Sequence, residues 1–264
     1  MSSASESLLL LSQAAAVIGL AAWAARIVRE RLARRYPLLL SLLVAVALLA
    51  ALGKVIALFA ASAGRSAYAA FWLGAQLVEW TLCFLALVEA FNLMLAEYPG
   101  LHKFGVRALQ AGLAVCAAFI VGGLLWAQAD SVGRLGLFAI FELRNAALGL
   151  TVLALILAGV GAAFGLRPPK NIQIVFAAVG LLLAGHALVW VLRLSLGPEW
   201  RGEAAIASSL LCAAVGWGGA LMFSAAGERQ REFRPAATVS PAAEHEISGR
   251  IEALNESLLR VLRS

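Results

Sequence analysis

Seven Lys, Arg, His and Glu side chains lie well inside the long apolar runs of this sequence: Lys54, Glu79, Glu89, Glu142, Arg144, His186 and Arg193. A charge inside a bilayer is costly, so such a residue by default faces the bundle interior or a water-filled cavity. Helical spacing sorts them. Gln76, Glu79 and Cys83 stand at i, i+3 and i+7, and His186, Trp190 and Arg193 at i, i+4 and i+7, so each set forms one stripe on its helix. Glu142 and Asn145 make a further i, i+3 pair. If the stripes meet, Lys54, Gln76, Glu79, Glu142, Arg144, His186, Trp190 and Arg193 line a polar cavity in the outer half of the membrane. Its chemistry would be that of a ligand pocket or ion site, with Glu79, Lys54 and His186 at the centre and Trp190 as an aromatic wall. The competing reading is that the charges pair between helices, that Arg144 and Arg193 snorkel to the surface, and that His186 makes one interhelical hydrogen bond. Glu89 and Asn92 stand apart in the inner half.

Sharper chemistries find little support. A haem held by two histidines is not indicated, because His186 is the single intramembrane histidine, with His102 in a loop and His245 in the tail. A retinal Schiff base wants a lysine in the seventh span, which has none. Cys83, Cys116 and Cys212 lie in apolar runs without CxxC spacing and read as packing residues. One histidine with scattered carboxylates falls short of the three or four ligands a zinc site generally needs. There is no Gly-rich phosphate loop, no HExxH and no nucleophile elbow, so an enzyme is not expected. No ligand, substrate or cofactor is specified.

The elements that must position these groups follow from composition. Of 264 residues, 62% are hydrophobic and 14% charged, against about 45–50% and about 25% in soluble domains. Continuous runs of about 20 apolar residues indicate spanning helices, not the short alternating segments of a barrel. The expected fold is all-α: a polytopic seven-transmembrane helix bundle over residues 1–227, with spans at 8–28, 38–62, 69–95, 106–128, 136–165, 172–196 and 204–226. The leader "MSSASES" has no positive n-region, so the first span reads as retained and not as a cleavable signal.

The positive charges are distributed unevenly. Arg26, Arg29, Arg31, Arg34 and Arg35 surround the turn after the first span; Lys103, Arg107, Arg167 and Lys170 follow the third and fifth; Arg229, Arg231 and Arg234 follow the seventh. The opposite side has Arg65, Arg134 and Arg201 beside Glu6, Asp130, Glu199 and Glu203. The positive-inside rule then predicts an outside N-terminus and a cytoplasmic C-terminus. The net charge of +6 is accounted for by this topology and by attraction to anionic headgroups, with no basic stripe for nucleic acid. Tyr36, Tyr98, Trp126 and Trp200 fall near the predicted surfaces, where amphipathic rings are favoured. Gly161-x-x-x-Gly165 and Gly216-x-x-x-Ala220 would let helix backbones approach closely.

Past Gly227 the composition changes to a linker over 228–240 and then a short amphipathic helix over 241–264, with Ser240 as N-cap and Pro241 in the first turn. Ile247, Ile251, Leu254, Leu258 and Val261 form a coiled-coil-like stripe too short to stand alone, so it must cover a partner helix, a second copy, the membrane surface or the protein's own loops. Mixed charge, with Glu244, Glu246, Glu252 and Glu256 against Arg250, Arg260 and Arg263, favours a docking or dimerising helix over a membrane-lying one.

The strings "RRYPLLLSLLV", "YAAFWLGAQLVEW", "LVEAFNLML", "YPGL" and "FELRNAALGLTVL", in this order, resemble a bacterial family of seven-span membrane proteins without an assigned activity. The resemblance rests on Glu89 followed by Phe91, on the turn Tyr98-Pro99-Gly100, and on Glu142 with Arg144. The family's layout is similar to the sensory membrane modules of bacterial signalling kinases, but this chain ends in a short helix without a kinase or cyclase domain. The resemblance implies a multi-pass protein of the bacterial cytoplasmic membrane and no particular activity; the outer-half polar cluster and the C-terminal helix lead to the expectation of a non-enzymatic, receptor-like protein that senses through the cluster and signals through the helix to a cytoplasmic partner. A structural subunit of a membrane complex, or a small-solute or ion transporter, is the alternative.

Overall fold

The computed structural model describes residues 3–63, 65–96, 105–106, 109–110, 149–157, 159, 168–196, 200–228 and, in the tail, 249–250, 252–253, 256 and 260. Among these residues the regular structure is helical, without a strand. Five long helices carry it: α1 (Ser3–Arg29), α2 (Pro37–Ala63), α3 (Arg65–Leu95), α4 (Lys170–Leu196) and α5 (Arg201–Met222). All five are long and apolar enough to cross a membrane. They coincide with the first, second, third, sixth and seventh predicted spans. The predicted spans 106–128 and 136–165 fall largely outside the described residues, although 149–157 is helical. Glu142 and Arg144, Tyr98, Trp126, Gly161 and Gly165, and the tail stripe of Ile247, Ile251, Leu254, Leu258 and Val261 also lie outside them.

Local chemistry sets the helix ends. α1 closes in a Schellman motif: Leu32 N–H donates to Ile27 O at 2.9 Å and Arg31 N–H to Val28 O at 3.0 Å. Arg31 holds the left-handed position with φ 59°, and Leu32 and Ile27, the apolar pair that accompanies the motif, are both buried. Glycine is the usual residue there, since a Cβ in this region costs about 1–2 kcal/mol. Pro37 then opens α2 at the first helical position, where a missing N–H costs nothing. Pro168 and Pro169 precede α4, and Gln173 hydrogen-bonds back to both carbonyls. α5 stops at Phe223, whose backbone is extended, before a short 3-10 turn, Ala225–Glu228.

The helices form a closed ring in which each packs on the next, and α5 returns to α1 in the most extensive contact of all. That seam depends on small residues. A Cβ on Gly216 would fall 2.6 Å from the backbone of Gly19 and Leu20, and one on Gly19 would meet Trp217. Apolar side chains gain little by leaving lipid for an equally apolar neighbour, so close backbone packing carries the association. Gly219 likewise leaves its space to the indole of Trp23.

The C-terminal ends of α1, α3 and α5 meet the N-terminal ends of α2 and α4 at one end of the bundle, the end that carries the arginine-rich turn. Most of the largest fully buried side chains crowd this end: Trp23, Ile27, Tyr36, Phe91, Leu95 and Phe223 among them. Phe223 sits at its centre, edge-on to Tyr36 at 5.2 Å and to Trp23 at 6.0 Å between ring centroids. Such aromatic pairs contribute about 0.5–1.5 kcal/mol each beyond area burial. Tyr36, predicted to lie near a membrane surface, is fully buried in this packed end of the bundle.

Candidate functional site

The first polar cluster spans the seam between α3 and α4. Glu79, 8% exposed, accepts a hydrogen bond from Gln76 Nε2 at 3.2 Å, as their i, i+3 spacing allows. Its other oxygen lies 3.7 Å from His186 Nδ1 on α4. That distance is too long for a hydrogen bond and within reach of an ion pair. Trp80, the next residue on α3, packs on Ala187, the residue after His186, with Trp72 and Leu150 around them. The indole N–H of Trp80 has no acceptor among the described residues, leaving a buried donor unpaired. Cys83, one turn beyond Glu79, is buried and free. Among the described residues no three His, Cys, Asp or Glu side chains come together as a metal site requires.

Of the eight residues predicted to line a cavity, the structure thus unites Gln76, Glu79 and His186. Lys54 does not join them. It is exposed and makes no ion pair among the described residues. Trp190 and Arg193 lie on α4, one and two turns beyond His186, and their side chains are outside the described set.

The second cluster occupies the basic end, and its residues carried no periodic signal. Glu228 Oε1 accepts hydrogen bonds from the Tyr36 hydroxyl and from Asn171 Nδ2, both at 2.6 Å. Arg35 Nε closes on Oε2 as an ion pair and not an aligned hydrogen bond. Asn171, fully buried, also donates to Ser224 O at 2.8 Å and accepts from Ser224 N–H at 3.3 Å. Gly227 faces the Asn171 amide so closely that no side chain fits there. Glu30 accepts from Ala225 N–H at 3.0 Å while pairing with Arg26, and Arg26 Nε also reaches Phe223 O at 3.1 Å. Three elements, the α1–α2 turn, the start of α4 and the exit of α5, are locked by one carboxylate. The predicted linker at 228–240 thus opens on an anchored residue. Burial, and next the hydrogen bond to and the charge of Glu228, push the Tyr36 phenol well above its ordinary range, with Arg35 opposing.

Glu89 is not alone either. Its two oxygens accept from Leu38 N–H at 3.0 Å and Leu39 N–H at 3.1 Å, so a carboxylate on α3 caps the N-terminus of α2. Those are two of the donors that a helix start leaves without partners, and the helix dipole favours an anion there. Asn92 Oδ1 stays without a partner among the described residues. Only the turn "RRYP" and the first acid of "GERQRE", Glu228, could have signalled the basic-end cluster, and neither says what it touches. In comparison with known proteins, the chain matches no family model, no curated protein and no solved structure.

Proposed function

We propose that this chain is a seven-span protein of the bacterial cytoplasmic membrane, N-terminus outside, acting as a non-enzymatic receptor-like module that signals through a cytoplasmic partner. The observation that carries the reading is the Gln76–Glu79–His186 cluster, a carboxylate and an imidazole bridging α3 and α4 beside a Trp80 donor with no acceptor among the described residues. Ionisable groups are retained inside membranes chiefly for function. α4 runs from this cluster to Asn171, in the knot from which the tail departs, so a shift of α4 at His186 reaches the base of the tail. Parity supports the span count. α3 ends and α4 begins at the same end of the ring, and the sequence between them holds two apolar runs, which accords with seven spans in all. The arginine-rich end is the cytoplasmic one by the positive-inside rule.

The test compares Glu79→Gln and His186→Ala in purified protein, by melting temperature alone and with a panel of small ionic and polar solutes. A receptor is stabilised by at least one solute, and both variants lose that response. Equal destabilisation with no solute effect in the wild type leaves the second reading, in which Glu79 and His186 only fasten α3 to α4 in a structural subunit. Solute flux in reconstituted vesicles that both variants abolish would mark a transporter instead.

A further inference from the structure

The α1–α2 turn divides its five arginines in two. Arg26 and Arg35 are engaged inside the knot, with Glu30 and the Phe223 carbonyl, and with Glu228. Arg29, Arg31 and Arg34 are exposed and make no ion pair among the described residues. The described acids of the neighbourhood, Glu30 and Glu228, already hold partners. Arg31 moreover occupies the left-handed position where glycine would be unstrained, and its guanidinium makes no bond among the described residues that repays this. A strained non-glycine residue without a structural partner points to a use outside the fold.

We propose that this turn binds the headgroup of an anionic phospholipid through Arg29, Arg31 and Arg34. Guanidinium groups match phosphate oxygens in pairs and are more weakly hydrated than ammonium groups. The turn joins two membrane-crossing helices, and Val28, next to Arg29, is 57% exposed, as a lipid-facing side chain is. The three cations therefore stand where hydrocarbon gives way to headgroups, and a lipid phosphate is the anion held at that depth. The inference rests on the membrane placement of α1 and α2 and is independent of the receptor reading.

The experiment uses the full chain in neutral detergent, titrated with dioleoylphosphatidylglycerol, with dioleoylphosphatidylcholine, and with soluble glycerol 3-phosphate. Melting temperature and retained lipid by native mass spectrometry are the readouts. Phosphatidylglycerol raises the melting temperature and stays bound, with apparent affinity falling about fivefold per arginine removed in Arg29→Gln, Arg31→Gln and Arg34→Gln. Raising salt weakens it. Arg31→Gly separates this from a structural role: it relieves the strained backbone, so stability in phosphatidylcholine holds or rises while the phosphatidylglycerol response shrinks. The pair Arg250→Gln and Arg260→Gln, in the tail, leaves the response intact. The proposal is overturned if both lipids stabilise equally, if the turn variants keep the full response, if the tail variants abolish it, or if glycerol 3-phosphate reproduces it.

Discussion

The Tyr36 hydroxyl donates a 2.6 Å hydrogen bond to Glu228 across 192 positions of sequence, and Asn171 donates to the same oxygen. The first turn of the bundle is thereby tied to the point where the tail leaves it. Arg35, 47% exposed, adds an ion pair that solvent screens, so the two neutral donors decide the strength of the knot.

Glu228→Gln keeps an acceptor for Tyr36 and Asn171 and loses the charge, and its expected cost is about 1 kcal/mol. Glu228→Ala leaves the Tyr36 hydroxyl without its acceptor and Asn171 with only its bond to Ser224 O, and costs about 2–3 kcal/mol. Thermal or denaturant unfolding in detergent measures both, and equal effects would mean that the Arg35 pair dominates.

Alkaline pH tests Tyr36. Its folded-state phenol is raised above the ordinary value of about 10, so folding favours the protonated form. The associated stability is complete below about pH 10 and drains away as pH climbs above that value toward the raised one. Wild-type melting temperature should therefore fall more steeply above pH 10 than that of Tyr36→Phe. Parallel curves would remove the Tyr36–Glu228 bond from the account.

Glu89 is expected to act as a helix cap and not as an isolated charge. Glu89→Gln retains one acceptor for the two N–H groups and should cost about 1 kcal/mol, while Glu89→Ala should cost up to about 2 kcal/mol. Hydrogen exchange at Leu38 and Leu39 is the direct readout, because fraying must begin there if the cap is lost.

Two neighbouring glycines of α5 should respond with opposite signs. Replacement by alanine gains up to about 1 kcal/mol in helix propensity. At Gly218 nothing lies within 4 Å of a new Cβ, so Gly218→Ala should hold or raise the melting temperature. At Gly216 the new atom would meet the Gly19 backbone at 2.6 Å, and overpacking of about 1–3 kcal/mol outweighs the gain. A stabilised Gly216→Ala would show that α1 and α5 can separate without cost.

Much of the helical layout was legible in the sequence. The predicted span 38–62 corresponds to Pro37–Ala63 and 172–196 to Lys170–Leu196, because an apolar run bounded by Pro, Gly and charge is a local signal. Gln76 with Glu79 was legible for the same reason: three residues apart on a helix is a fixed spatial relationship. Lys54 makes no ion pair among the described residues, and nothing in its spacing says which helix its side chain meets.

Sequence alone determined that the chain is helical and lipid-compatible, and which polar residues share a stripe, since periodicity and hydropathy act over one helix at a time. Which stripes meet was decided by the tertiary structure. A helix that is apolar all round has no amphipathic phase to say how it is turned, because lipid and protein neighbours accept the same side chains. Rotation about each axis came from features without a pattern: Gly216 against Gly19, Glu89 on the first amides of α2, and Glu228 between Tyr36 and Asn171. Each joins residues far apart in the chain, so only the assembled ring can bring them into contact.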